Sequence, residues 1–216
     1  YKNQDQRYEK LVSKKTIKLL GPKYAIIKPE FRNKNSNQKK DSVKNILITF
    51  GSVDSTNECE KILDAICMMD YNKYVINVIA GTYNPNFNNL EKKYKKYNNI
   101  KIFRHTKKME DVMANSDLCI GAGGTTTFER FCSGLPSIVT IVANNQKEGV
   151  EYLSNMGYLI NLGLAKDVTI ESYVSCIKNL DSQLLHSMSI KIQNLIDGLG
   201  CSRIKKEIKK IIGDVQ

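Results

Sequence analysis

The sequence predicts a doubly wound parallel α/β sheet of the Rossmann-like type. From Asn45 onward, short β-branched apolar runs recur, each the length of a buried parallel strand. Between these runs lie segments whose apolar residues fall at helical spacing. The connections are short and rich in Gly, Ser, Thr and Asn, as strand-to-helix turns are.

The first run is Ile46–Phe50. Gly51-Ser52 turns the chain, and Asp54 or Ser55 can cap a helix over Thr56–Met69 with Ile62, Leu63, Ile66 and Cys67 on one face. Tyr74–Ala80 is the next strand, ended by Gly81, and a helix over Asn88–Tyr97 leads to a strand at Ile100–Phe103. Met109–Ala114 is a short helix, Leu118–Gly121 a strand, and Thr126–Ser133 a helix stopped by Gly134 and Pro136. Ile138–Val142 is a strand, and Gln146–Met156 is a helix closed by Gly157. Tyr158–Asn161 is a last short strand before a helical remainder. Upstream, a short helix over Tyr8–Lys14 precedes the apolar run Ile17–Leu20, a turn at Gly21-Pro22 and an extended Tyr24–Ile27. The Asn- and Lys-rich stretch from Phe31 to Lys44 reads as a mobile loop. Residues 1–44 are therefore expected to be an interdomain segment and linker, and 45–216 a ligand-binding domain. The chain opens at Tyr1 without an initiator Met, so it is expected to be cut from a longer protein.

The 216 residues, 41% apolar and 25% charged, suffice for a globular core. No apolar run reaches the ~18 residues of a membrane span, so none is expected. The six cysteines are scattered without a CxxC pair, which fits a reduced cytoplasmic protein better than a disulfide framework or zinc site. No cluster has metal-ligand spacing, and neither metal nor cofactor is expected. The net charge of +11 is spread over lysine pairs such as Lys14-Lys15 and Lys92-Lys93. No stripe interleaves them with aromatics, so a solvated surface is expected rather than a nucleic-acid partner.

In a doubly wound sheet, ligands sit outside the carboxyl ends of the strands. The Gly121-Ala122-Gly123-Gly124-Thr125-Thr126-Thr127 turn occupies such an end. Its glycines permit close backbone approach, and the helix start offers free N–H groups to an anion. A tight turn with a Thr cap accounts for one Gly and one Thr; Gly123, Gly124 and Thr125–Thr127 exceed that need and suit a diphosphate. The spacing matches neither GxGxxG nor the P-loop. Glu129 can serve the helix dipole or accept both hydroxyls of a ribose. Asn144-Asn145-Gln146 can be a polar turn or can read sugar hydroxyls and acetamido groups. Gly51-Ser52 with Asp54 resembles a second phosphate-facing turn. His105 can line a base pocket or lie on the surface, and His186 reads as structural or solvated. No nucleophile–base constellation can be assembled, so no catalytic residue is assigned in this chain.

Several segments together resemble one family. They are Leu20-Gly21-Pro22-Lys23-Tyr24-Ala25 with Phe31-Arg32, Phe50-Gly51-Ser52-Val53-Asp54, and Asp117 through Arg130. Gly134-Leu135-Pro136-Ser137, Asn145-Gln146, and Asp197-Gly198-Leu199-Gly200 with Arg203 complete the set. From about Ile17 to Arg203 the chain resembles the carboxyl-terminal portion of the UDP-2,4-diacetamido-2,4,6-trideoxy-β-L-altropyranose hydrolases of pseudaminic acid synthesis, with relatives in spore-coat polysaccharide synthesis. The resemblance implies the carboxyl-terminal domain of a GT-B fold, as in the N-acetylglucosaminyltransferase that makes lipid II. It implies a UDP-sugar or UDP as ligand, with Gly51, Ser52 and Gly123–Thr127 at the diphosphate and Glu129 at the ribose. His105, Thr106 and Met109 would border the uracil, and Asn145 and Gln146 the sugar. Such hydrolases break the anomeric C–O bond with inversion and need no metal. Their Gly-x-Gly-His stretch, which carries the proposed base, belongs to the amino-terminal domain and is absent from these residues. The missing amino-terminal domain is thus the expected partner, and this chain alone is expected to bind UDP without hydrolysing. The alternatives are the UDP-GlcNAc-binding half of a split GT-B glycosyltransferase and a non-catalytic nucleotide-binding domain.

Overall fold

The structure, a computed structural model, describes residues 4–32 and 42–213. The loop expected between Phe31 and Lys44 falls largely on residues outside that description. In chain order the elements are α1 (Gln4–Glu9), β1 (Asn45–Thr49), α2 (Glu58–Cys67), β2 (Val75–Ile79) and α3 (Phe87–Tyr94). They continue with β3 (Ile100–Phe103), α4 (Met109–Ala114), β4 (Leu118–Ala122), α5 (Thr126–Cys132) and β5 (Ser137–Ile141). The remainder is α6 (Lys147–Asn155), β6 (Ile160–Leu164), α7 (Ile170–Lys178), α8 (Ser182–Leu195) and α9 (Gly200–Ile212).

The strands form one six-stranded sheet in the order β3-β2-β1-β4-β5-β6, every pair parallel. This is the doubly wound α/β architecture expected. The order runs outward in both directions from the β1–β4 pair, where Thr49 lies beside Gly121. Successive strand residues point to opposite faces. Ile46, Ile48, Ile76, Val78, Ile120 and Ile138 therefore pack under α2, α3 and α7. Leu47, Cys119, Val139 and Ile141 pack on the other face with Phe131, Met188 and Ile192. Both faces are covered, which is why the strand sequences are nearly continuous apolar runs.

On the first face, one polar network crosses the core. Glu58 is fully buried; Lys61 Nζ donates to it at 2.6 Å and the Tyr173 hydroxyl at 2.7 Å. The phenol has one hydrogen, so the Thr140 hydroxyl at 2.7 Å donates to Tyr173. Burial pushes the Tyr173 phenol well above its ordinary pKa. The chain thus ties α2 to α7 and β5.

The segment before β1 is packed onto the domain. Ile27 and Phe31 lie in the second core, and Arg32 donates to the Gly198 carbonyl at 2.9 and 2.7 Å. A Cβ on Gly200 would stand 2.1 Å from the Ala25 carbonyl oxygen, so only glycine admits that backbone. Arg203 donates to the Lys23 carbonyl at 2.9 Å and pairs with Asp197, holding that carboxyl at about 2, well below its usual range. The two distant motifs Gly21–Arg32 and Asp197–Arg203 meet here.

Several boundaries differ from expectation, each for a local reason. The first helix ends at Glu9 rather than reaching Lys14: the Ser13 hydroxyl accepts from the Lys15 amide at 3.3 Å, a turn that competes with the helix. The last strand starts at Ile160 rather than Tyr158, because the Tyr158 amide closes α6 onto the Leu153 carbonyl at 2.9 Å behind Gly157. The helix after β1 starts at Glu58 rather than Thr56, since Asn57 is left-handed at φ 55°.

Tyr173→Phe should lower stability by about 1–3 kcal/mol, because Glu58 and Thr140 each lose a buried partner. Urea unfolding should show a lower midpoint at unchanged slope; an unchanged midpoint would remove the network from the account.

Candidate functional site

The reversal of strand order opens a crevice above β1 and β4. The chain approaches it closely because position 121 has no side chain. A Cβ there would lie 2.3 Å from the Thr49 carbonyl oxygen and 2.8 Å from Arg130 Nη1. On Gly123 a Cβ would meet Val150 Cγ2 at 2.2 Å. The glycines thus seat the turn against β1 and α6.

The Thr127 and Phe128 amides close onto the Gly124 and Thr125 carbonyls at 3.1 Å each. The amides of Gly124, Thr125 and Thr126 have no acceptor among the described residues. Gly124, Thr125 and Thr126 are half-buried to exposed, so these donors border the crevice. Thr127 does not face it. It is 3% exposed, its hydroxyl accepts from Arg130 at 2.7 Å, and its amide is bonded within the turn. The expectation that Thr127 faces a diphosphate is corrected: its spacing from Thr125 turns it beneath the turn, as a support.

Gln146 comes from the loop after β5, which runs beside β4. Its Oε1 accepts from the Val142 amide at 3.2 Å, and its Nε2 lies 4.0 Å from where a Gly124 Cβ would stand. Its amide donor is therefore held next to the turn. Asn145 is exposed beside it.

Glu129 is half-buried and its carboxylate has no hydrogen-bond partner among the described residues. Burial pushes it above the ordinary carboxylate range, against the pull of Lys28 and Arg130, and Glu110 adds to the rise. The Lys28 and Glu110 charges place Glu129 between the segment before β1 and the start of α4. Met109, on the first turn of α4, packs half-buried against the second core. The Thr106 hydroxyl accepts from the Lys108 amide at 3.1 Å. His105 is exposed just after β3, the strand at the sheet margin, and forms no hydrogen bond with a described residue.

Gly51 and Ser52 are exposed at the end of β1. The Ser52 carbonyl accepts from the Tyr83 amide at 2.8 Å, linking this loop to the one after β2. The helix behind it offers no anion site. Asp54, 3% exposed, already accepts from the Glu58 and Cys59 amides at 2.9 and 3.0 Å. The reading of Asp54 as part of a phosphate-facing turn is thus corrected in favour of the capping one: the chain supplies its own carboxylate.

Arg130 is the residue that sequence reasoning missed. It is fully buried beneath the turn, donating to the Ala122 carbonyl at 2.9 Å. The signal was the inward stripe Thr127, Arg130, Phe131 at helical spacing. All six cysteines are free, and no group of His, Cys, Asp and Glu among the described residues could hold a metal. No described helix is long and apolar enough to cross a membrane. A surface cavity between α3 and β3, lined by Asn88, Lys92, Tyr94 and Ile102, lies at the far margin of the sheet.

Comparison with known proteins places this geometry in context. The model of the glycosyltransferase family 28 C-terminal domain matches residues 45–198. The uncharacterized protein MJ1062 of Methanocaldococcus jannaschii is 36% identical over 141 residues, 62% of this chain and 29% of the relative. The spore coat polysaccharide biosynthesis protein SpsG of Bacillus subtilis is 26% identical over 189 residues, 85% of this chain and 56% of the relative. The crystal structure of MurG from Acinetobacter baumannii superposes with a TM-score of 0.67 at 19% identity, covering 81% of this chain and 52% of that one, a likeness of fold. The chain thus spans between about a third and about half the length of these curated relatives.

The glycines separate by what surrounds them. Gly123→Ala should lose about 1–3 kcal/mol through its clash with Val150, whereas Gly124→Ala, with open space to Gln146, should stay within about 0.5 kcal/mol of the parent. Chemical denaturation of both variants checks this; equal losses would mean that the turn is not seated on α6.

Proposed function

The chain belongs to the glycosyltransferase family 28 C-terminal domain family, and from that premise we propose that it is the UDP-sugar-binding part of a nucleotide-sugar enzyme. The observation that carries this reading is the set of open amides at Gly124, Thr125 and Thr126 above the β1–β4 reversal. Backbone donors fixed by the sheet need no reorganisation to meet a diphosphate, and they stabilise negative charge as it develops there.

In this reading the diphosphate lies on Gly123 to Thr126, with Gly51 and Ser52 as the opposite wall. The Glu129 carboxylate, without a hydrogen-bond partner among the described residues, accepts from the ribose hydroxyls. Met109 and Thr106 border the base, and the Gln146 amide, with Asn145, reaches the sugar. His105 is left at the rim.

The reaction served is hydrolysis of a UDP-diacetamido-trideoxyhexose in nonulosonic acid synthesis. Water attacks the anomeric carbon, the C–O bond to the diphosphate breaks, and its electron pair leaves with UDP. This chain's part is to hold that leaving group; the base that takes the proton from water belongs to the amino-terminal half. The spore-coat polysaccharide name of the Bacillus relative supports sugar chemistry of this kind. A split transferase would use the same half. The Gly21–Arg32 segment, bound to Asp197–Arg203, favours the hydrolase, because transferase subunits of that kind begin near the first strand.

Calorimetry should show saturable binding of UDP, and no heat even at millimolar ligand would sink the reading. The ribose role has a pH signature. Glu129 must be ionised to accept two hydroxyls, so affinity is full above its pKa and lost as pH falls through it. Its raised pKa moves that loss above the ordinary carboxylate value of about 4.3. UDP-N-acetylglucosamine is the suitable probe, since its diester diphosphate does not titrate there. Glu129→Gln should bind more weakly and flatten the profile; a variant with the parent's profile would assign the titration elsewhere.

A further inference from the structure

Arg130 heads the fully buried side chains of the described residues, at 0% exposure. Its Nη2 donates to the Ala122 carbonyl at 2.9 Å and the Thr127 hydroxyl at 2.7 Å, and Nη1 reaches the Cys119 sulfur at 3.7 Å. Nε is buried with no partner among the described residues. Every acceptor is neutral, since burial also pushes the Cys119 thiol up. Glu129 is felt only through space, without a hydrogen bond.

A guanidinium cannot shed its proton in a protein. The chain therefore buries a full positive charge without a hydrogen-bonded counterion among the described residues, an arrangement carrying a large desolvation penalty. Pinning Ala122 and Thr127 explains the donors; a neutral amide could do as much. The charge itself needs a further reason. Its place supplies one: Ala122 is the last strand residue before the turn and Thr127 supports the turn from below, so the charge lies directly under the open amides of Gly124 to Thr126.

Resting on the reading of that turn as a diphosphate cradle, we propose that Arg130 is a positioning residue that makes the site selective for a nucleoside diphosphate over the bare nucleoside. The ligand's diphosphate, rather than a protein carboxylate, balances the buried guanidinium. Arg130 does not touch the ligand; it shapes the turn through Ala122 and Thr127 and acts on the anion through a poorly screened interior.

The test compares UDP and uridine on the parent, Arg130→Met and Arg130→Lys by calorimetry. Arg130→Met should lose about tenfold or more in UDP affinity while uridine affinity changes less than about twofold. Arg130→Lys, which keeps the charge, should recover part of the difference. Equal losses for UDP and uridine would reduce Arg130 to a structural role, and unchanged UDP affinity would show that its charge is not used. A parent chain that binds no UDP would instead overturn the reading of the turn itself. Should Arg130→Met not fold, the parent still decides the matter. Inorganic diphosphate should shift the Arg130 Nε–H resonance and uridine should not; a resonance indifferent to diphosphate would overturn the proposal.

Discussion

The contact between the ends of β1 and β4 governs the rest of the molecule. At Gly121 the Thr49 carbonyl and the Arg130 guanidinium both occupy space that a methyl group would fill. Because nothing stands there, the two strands that begin the outward windings can pair as far as Thr49 and Gly121. The turn that follows lies directly over a buried cation. The close approach of β1 and β4 and the seat of the buried guanidinium both depend on one missing side chain. A larger residue at 121 would separate the strands and move Arg130 at once, so the site and the core cannot be altered independently.

The carboxyl edge of the sheet divides its helix starts by chemistry. At α2 the chain uses its own carboxylate, and Asp54 accepts both leading amides. At α5 no described acid plays that part: the Thr127 amide closes onto the Gly124 carbonyl, and those of Gly124, Thr125 and Thr126 have no acceptor among the described residues. Two strand-to-helix turns of similar composition thus differ, one closed by a carboxylate of the chain and one with amides left open among the described residues. The half-buried carboxylate of Glu129 and the amide of Gln146 flank the open one, so an anionic group, a diol and a hydroxyl-rich group could be met within one crevice.

Much of this was legible in the sequence, and for physical reasons. Both sheet faces are buried, so the strands are continuous apolar runs, and Ile100–Phe103 and Met109–Ala114 have the bounds that periodicity predicts. Of the glycine pair that the sequence marks for close approach, Gly123 makes one, against Val150, while Gly124 has open space around it. What the sequence could not show depends on contacts distant along the chain. Thr125, Thr126 and Thr127 look alike as letters; only the packing of Arg130 against Thr127 separates the support from the two that face outward. An arginine beside a glutamate reads as a surface pair, yet this one is buried among neutral acceptors. The motifs Gly21–Arg32 and Asp197–Arg203 were visible separately, while the reason they occur together is the Arg32–Gly198 and Arg203–Lys23 contacts. The last strand moved because closing α6 claimed Tyr158, a competition that alternation of apolar residues does not register.

The most direct measurement is a titration of the isotope-labelled chain with UDP, followed residue by residue by NMR. The largest saturable shifts should fall on the amides of Gly123, Gly124, Thr125 and Thr126 and on the side-chain amide of Gln146, with Thr127 moving less. Shifts concentrated between α3 and β3, around Asn88, Lys92 and Ile102, would contradict the assignment of the turn as the nucleotide site.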